Sequence, residues 1–398
     1  MKADVHAEPV HEGDNLVPRV EDVPLSRLVA YFLRLGTVGF GGPIALVGYM
    51  QRDLVEGIGV STEDYLQGLA FSQLSPGPLA APLANYLGWV HSGTLGARLA
   101  GIAFVWPSLL MILALAAMYL HFGQLAWIQG MFYGIGAAVS AIIVRSAWRL
   151  IQKTLDKHYR LWTVFAILTV ATVWTESEIL SLFVLSGVVA MLIKAPPGGE
   201  GTLAKAVIPP LGFVGVYAPA GTKTVMTVFL FFLKAGAFVF GSGLAIVPFL
   251  YGGVVGGFHW LTERQFLDAV AIAMITPGPV VITSGFIGYL VAGPLRAFAA
   301  TLAVFLPPYL LVVFGAPYYR RFAKNRQVKA FVQGVTVAAV GAIAGAAIIL
   351  SKRAVMDLTT VLIAVVSILL LLCFKKIPEP VIILGAGIVG MTVKHGWL

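Results

Sequence analysis

The sequence predicts an all-α integral membrane protein built by tandem duplication, with inverted repeats and about 12–13 transmembrane helices, broken at two Pro-Gly-Pro steps. Three observations lead there. Apolar residues make up 59% of the chain, charged residues 11%, and the mean hydropathy is +0.89, outside soluble globular usage. Uncharged stretches of about 18–25 residues, enough to cross ~30 Å of hydrocarbon as helix, recur along nearly the whole length. An unusual pattern also occurs twice, about two hundred residues apart.

The first copy reads Phe32-Leu33-Arg34, Gly36, Phe40-Gly41, Thr62-Glu63, Ser75-Pro76-Gly77-Pro78, Pro107 and Gly134. The second reads Phe232-Leu233-Lys234, Gly236, Phe240-Gly241, Thr262-Glu263, Thr276-Pro277-Gly278-Pro279, Pro307 and Gly334. The chain divides into a cytoplasmic tail at 1–24, a first repeat at 25–195, a linker at 196–224 and a second repeat at 225–398. The acid-rich tail is expected to be disordered and is a poor signal-peptide n-region. Spans are expected near 26–50, 64–90, 95–120, 125–148, 160–175 and 178–194, then 225–250, 266–292, 296–316, 328–350, 355–373 and 379–394. Pro196-Pro197-Gly198-Gly199 marks the linker, and the uncharged run 206–222 is just long enough to cross.

Charge asymmetry sets the orientation. Arg145, Arg149, Lys153, Lys157 and Arg160 follow the fourth span and belong inside, whereas the loop with Glu176 and Glu178 belongs outside. In the second repeat the basic cluster, Arg320 to Lys329, falls one span earlier, with Lys375 and Lys376 on the same side and Lys352 and Arg353 dissenting. The repeats therefore prefer opposite orientations, and 206–222 as a thirteenth span reconciles them. The net charge of +9 is spread over such loops, which argues against nucleic-acid binding.

Two prolines around a glycine break a helix, because proline donates no hydrogen bond and clashes with the preceding turn. Ser75-Pro76 and Thr276-Pro277 read as N-cap and first position of a new half-helix, whose free N–H groups suit an anion. A plain kink is the competing reading. Arg34 and Lys234 follow apolar runs and precede a glycine cluster; a cation there costs ~2.5–3.5 kcal/mol to insert, so it is kept for function or snorkels. The 18 acids fall in the tail, loops or starts of spans, Asp268 deepest, so the favoured cargo is an anion. Glu63 and Glu263 are read as helix-start residues, Thr262 with Gln265 as a capping box, and Gly130–Gly134 and Gly341–Gly345 as helix packing.

Enzyme signatures fail. Gly385 to Gly390 matches a dinucleotide fingerprint without room for its βαβ unit, the segment Ala220 to Thr224 lacks Walker order, and the seven histidines have no metal-ligand spacing. No cofactor or metal is expected, and Cys373 offers no internal disulfide.

The segment 32–43, its partner 232–241 and the paired Pro-Gly-Pro steps resemble the chromate ion transporter family in its long two-domain form. The resemblance implies a multi-pass protein of a prokaryotic cytoplasmic (inner) membrane that exports chromate, with sulfate a related anion, by a secondary gradient and without enzymatic activity. Its partners would be that anion and the lipid bilayer, with a homodimer allowed. The implied substrate-binding residues are Arg34, Gly41, Gly42, Pro43, Ser75, Pro76, Gly77 and Pro78, with Lys234, Gly241, Thr276, Pro277, Gly278 and Pro279. Ser242 departs from the glycine usual there, which makes the two halves unequal. Other small-anion exporters, and an intramembrane enzyme or lipid-handling protein, are the alternative readings.

Overall fold

A computed structural model describes residues 23–40, 42–155, 159–175, 180–195, 223–238, 240–241, 243, 246–319, 325–374 and 377–395. The tail up to residue 22, the run 206–222 and the loop acids Glu176 and Glu178 lie outside them. The first repeat comprises α1 (Leu25–Val38), α2 (Gly42–Met50) running into a π-helical stretch (Gln51–Ile58), and α3 (Thr62–Leu74). The short strand β1 (Gly77–Pro78) leads to α4 (Ala80–Phe122), α5 (Ala126–Leu155), α6 (Tyr159–Thr175) and α7 (Leu180–Lys194). The second repeat follows the same order. It has α8 (Val225–Phe238), β2 (Phe240–Gly241), α9 (Ile246–Tyr251) with its own π-helical stretch (Gly252–Gly257), and α10 (Glu263–Ile275). A 3-10 turn (Val280–Ile282) precedes α11 (Thr283–Ala292) and α12 (Pro294–Gly315); α13 (Arg326–Ala354), α14 (Leu358–Cys373) and α15 (Glu379–His395) complete it.

Among the described residues, four helices are long and apolar enough to cross a membrane: α4, α5, α12 and α13. The spans expected at 26–50, 64–90, 225–250 and 266–292 are instead interrupted helices. The break between α3 and α4 brings Phe71 back onto Tyr86, ring centroids 5.4 Å apart, so the two segments form a hairpin. A second reversal lies inside α4, where Ser92 and Gly93 leave helical geometry and Gly93 takes φ 57°. Its arms lie backbone to backbone, Gly88 on Gly96, a separation that no side chain on either glycine would permit. Gly293, at φ 82°, makes the same reversal between α11 and α12, with Gly288 against Arg296.

The repeats are interleaved. Gly134 of α5 lies against Ala386 and Gly390 of α15, while its counterpart Gly334 of α13 lies against Ser186, Gly187 and Ala190 of α7. Thus the last two helices of each repeat pack on the long helix of the other, α14 and α15 on α5, α6 and α7 on α13. Thr169 Oγ1 donates to the Gly341 carbonyl (3.1 Å) and Lys194 Nζ to Gln333 Oε1 (2.8 Å) across this contact. Tyr133 on α5 donates to Asp357, whose carboxylate also caps α14 through the Thr360 N–H. The tyrosine bond first, and the backbone bond with it, hold the Asp357 carboxyl below its ordinary value. A depressed folded value makes this tie fully present above the unfolded pKa and weaker as pH falls through the folded one.

The repeats are related by a two-fold axis lying across the helices. Trp106 on the second arm of α4 meets Phe298 on α12, ring centroids 6.1 Å apart. Their counterparts, Leu306 and Arg98, line the same crevice. The long helices agree: Tyr133 near the start of α5 bonds Asp357 just past the end of α13, while Leu155 at the end of α5 clusters with Val337, so α5 and α13 run antiparallel, as an inverted arrangement requires. The dissenting cations have a local reason: Arg353 ion-pairs with Glu263 and lies over the Tyr251 ring (5.1 Å), so this end is partly neutralised. Thr262 and Gln265 form the expected capping box, whereas α3 is capped by Ser61 through the Asp64 N–H (3.0 Å).

This topology makes a labelling prediction. Cys373, at the end of α14, and a cysteine placed at Thr175, at the end of α6, end corresponding helices of the two repeats, which an inverted arrangement puts on opposite sides of the membrane. In intact cells an impermeant maleimide should label Thr175→Cys in a Cys373→Ser background and leave wild-type Cys373 unlabelled until the membrane is opened. Equal labelling of both would refute the inverted arrangement.

Candidate functional site

The interruptions of the two repeats meet. Helix α1 stops after Val38, and the Gly39 carbonyl, released from the helical ladder, accepts a hydrogen bond from the Gly278 N–H of the second Pro-Gly-Pro step (2.7 Å). The mirror contact joins the first step to the second glycine break: β1 pairs in parallel with β2, Gly77 opposite Phe240 and Pro78 opposite Gly241. Each Pro-Gly-Pro step therefore lies across the broken helix of the other repeat. Unpaired backbone at such depth is expensive, and the crossing satisfies part of it without a continuous helix.

Glycine is required here for space and for conformation. Gly77 has φ 94° and Gly278 φ 99°, values that side chains disfavour. A Cβ on Gly77 would sit 2.9 Å from the Pro308 ring, and one on Gly278 would collide with Ser108 Oγ. That hydroxyl donates to the Gly36 carbonyl (3.1 Å), tying α4 to α1 beside the crossing. Gly36 and Gly236 in turn let α1 and α8 touch the backbone carbonyls of Phe104 and Val304.

Several expectations need correction. Ser75 and Thr276 are buried C-cap residues of the preceding helices, not N-caps. Ser75 Oγ donates to the Pro76 carbonyl (3.1 Å), and Thr276 Oγ1 back to Ile272 (2.7 Å). The left-handed glycine turns the chain first, so helix resumes only at Ala80 and at Val280, where Leu79 and Pro279 give no side-chain cap. Pro76 and Pro277 are half-buried, while Pro78 and Pro279 are buried. Gly42 opens α2 at φ 73° with open space where a Cβ would stand. Gly41 lies outside the described residues, as does the side chain of Pro43.

Arg34 is exposed on α1, a turn before the break, and Lys234 is half-buried on α8. Neither forms an ion pair or side-chain hydrogen bond among the described residues, and neither lines the two cavities described next. The first cavity, about 740 Å³, is a nearly apolar crevice between α4 and α12. The second, about 560 Å³, opens beside the first glycine break. Val38, Phe40 and Tyr49 line it, together with Arg145, Arg149 and Glu379. Sequence reasoning assigned both arginines to a loop; they belong to α5, and the signal was their four-residue spacing at the end of an otherwise uncharged helix.

Burial also changes one acid. Asp268, which the sequence placed near a span's start, is only 5% exposed and accepts from the Tyr119 hydroxyl (2.7 Å). The repeats differ in polarity as well. Around Tyr31, the first carries Arg34, Arg52, Asp53 and Tyr65. In the second, Phe231 packs instead on Phe249, Phe258 and Trp260.

Two inverted repeats whose helix breaks meet at a common crossing define a membrane transport protein rather than an enzyme. The chain belongs to the chromate transporter family, whose model, described as "Chromate transporter", matches residues 26–192 and 226–391, one match in each repeat. It is similar to the "Chromate transport protein" of Cupriavidus metallidurans, 53% identical over 92% of this chain and 93% of that one. The "Probable chromate transport protein" of Synechococcus elongatus is 50% identical, covering 96% of this chain and 98% of its own. The "Chromate transport protein" of Pseudomonas aeruginosa is 31% identical over 92% of each chain. No solved structure matches.

The crossing makes two equal-looking substitutions unequal. Gly42→Ala should cost only the left-handed conformation, roughly 1–2 kcal/mol. Gly278→Ala adds the collision with Ser108 and should lose folded protein from the membrane and from a thermal melt in detergent. Equal melting temperatures for the two variants would contradict the close crossing.

Proposed function

We propose that this chain exports chromate from the cytoplasm across the cytoplasmic membrane of a prokaryote, as a secondary active transporter that confers chromate resistance. Sulfate, a tetrahedral dianion of similar size, is the natural competitor. The observation that carries the reading is the crossing of two Pro-Gly-Pro steps over two glycine breaks in a protein similar throughout to chromate transport proteins. The positive-inside rule orients it: the sequence clusters Arg145 to Arg160 and Arg320 to Lys329 mark the cytoplasmic end.

In this reading a dianion enters from that end and passes the crossing, where backbone N–H groups of the restarting helices and the cations of α1 and α8 balance its charge. Arg34, Gly41, Gly42, Pro43 and the step Ser75 to Pro78 form the route in the first repeat. Lys234, Gly241 and the step Thr276 to Pro279 form it in the second. Neither Ser75 nor Thr276 acts as a cap, so their hydroxyls are secondary to the prolines and glycines.

Everted vesicles test the proposal. Energised vesicles with the protein should accumulate chromate, and excess sulfate should slow the uptake. Arg34→Gln and Lys234→Gln should each reduce uptake at least tenfold at unchanged membrane abundance, and Arg34→Lys should retain more because the charge survives. Pro76→Ala and Pro277→Ala should be severe and Ser75→Ala within about fivefold of wild type, a hydroxyl hydrogen bond being worth ~1 kcal/mol. Uptake no greater than in vesicles lacking the protein would overturn chromate export.

A further inference from the structure

The cavity beside the first glycine break is a candidate binding site in its own right. Arg145 and Arg149 stand one turn apart on the same face of α5 and both line it. Like charges at this spacing repel, so the pair is unfavourable unless something of opposite charge meets it. Glu379, at the start of α15, is within electrostatic reach of both, yet no ion pair joins it to either among the described residues. Arg145 is half-buried, and its Nε–H is buried with no described acceptor. A buried guanidinium donor without an acceptor is costly, and one acid at a distance leaves two cations short of charge.

A further arginine of the first repeat is already engaged. Arg52, which lies over the Tyr49 ring at 5.5 Å, is ion-paired with Asp53 at 2.8 Å. The corresponding positions of the second repeat are not basic. The counterparts of Arg145 and Arg149 are Gly345, packed on Thr172, and the buried Ile349. Among the described residues this basic pair therefore belongs to one repeat, although the scaffold is duplicated.

Two of its lining residues border the crossing. Val38 and Phe40 flank Gly39, whose carbonyl holds Gly278. We propose that this cavity is a cytoplasmic vestibule that captures a free tetrahedral oxyanion dianion before it reaches the crossing, an inference that rests on chromate export. Arg145 is its principal ligand, supplying a fork of N–H donors matched to two oxygens; Arg149 adds charge, and Glu379 weakens retention so that the anion moves on. One-sided capture gives a symmetric scaffold a preferred loading side. An anionic lipid headgroup offers similar oxygens, but the cavity's reach to the break between α1 and α2 favours a mobile solute.

The test uses the full-length protein in proteoliposomes of phosphatidylcholine alone, which removes anionic headgroups, with chromate supplied at the cytoplasmic face. Transport is read against chromate concentration, and binding of radiolabelled chromate is measured on the same protein. Arg145→Gln and Arg149→Gln should raise KM about tenfold or more with a smaller change in kcat, and Arg145→Lys should recover part of the loss. Glu379→Gln should lower KM, a gain that a merely structural residue would not produce. Wild-type transport with unchanged KM in both glutamine variants would overturn the vestibule while leaving chromate export standing. Transport that needs added anionic lipid, with chromate KM unmoved by the variants, would reassign the cavity to a headgroup and overturn the proposal. A wild-type protein that neither carries nor binds chromate would overturn export and vestibule together.

Discussion

The fold depends on what happens to backbone groups where a membrane helix stops short. Hydrocarbon offers them no water, so an interrupted helix must find partners in the protein. Here the partner is the interruption in the other repeat: Gly278 donates to Gly39, and β1 pairs with β2. Neither repeat can complete this contact alone. The glycines at both steps follow from it, since only a residue without Cβ can take φ near 94° or 99° against Pro308 or Ser108. The interleaving of α6 and α7 with α13, and of α14 and α15 with α5, then clamps the repeats from outside.

Duplication supplied the symmetry of the crossing, and divergence removed it elsewhere. Positions that hold Tyr31, Tyr49, Arg52 and Asp53 in the first repeat hold Phe231, Phe249, Gly252 and Gly253 in the second. One copy became polar and opens on a basic cavity, while the other became an aromatic plug in which Phe231 and Phe249 stack at 5.4 Å. An inverted scaffold with two identical ends has no preferred direction.

Much of this was legible in the sequence because it rests on local rules. Proline and glycine announce the breaks, charge asymmetry announces the inversion, and small residues such as Gly134 and Gly334 announce close helix contacts. What was misread depends on distant partners. Ser75 and Thr276 look like caps because Ser-Pro and Thr-Pro open helices elsewhere, but a left-handed glycine two residues on delays the restart. The reversal at Ser92-Gly93, by contrast, falls in the gap expected between the spans at 64–90 and 95–120. Asp268 was read as interfacial from its place in α10, and only Tyr119 of the other repeat explains its burial. Arg149 was read as a loop charge because the fourth span was ended at 148, whereas α5 runs to Leu155.

The pairing of Pro78 with Gly241 is the most direct point of attack on this account. In a Cys373→Ser background, cysteines at positions 78 and 241 face each other across paired strands, a separation within reach of a disulfide. Mild oxidation should cross-link them within one chain, and a protease cut between the repeats should then leave the halves joined until reduction. Halves that separate without reductant, in protein that is otherwise folded in the membrane, would contradict the crossing.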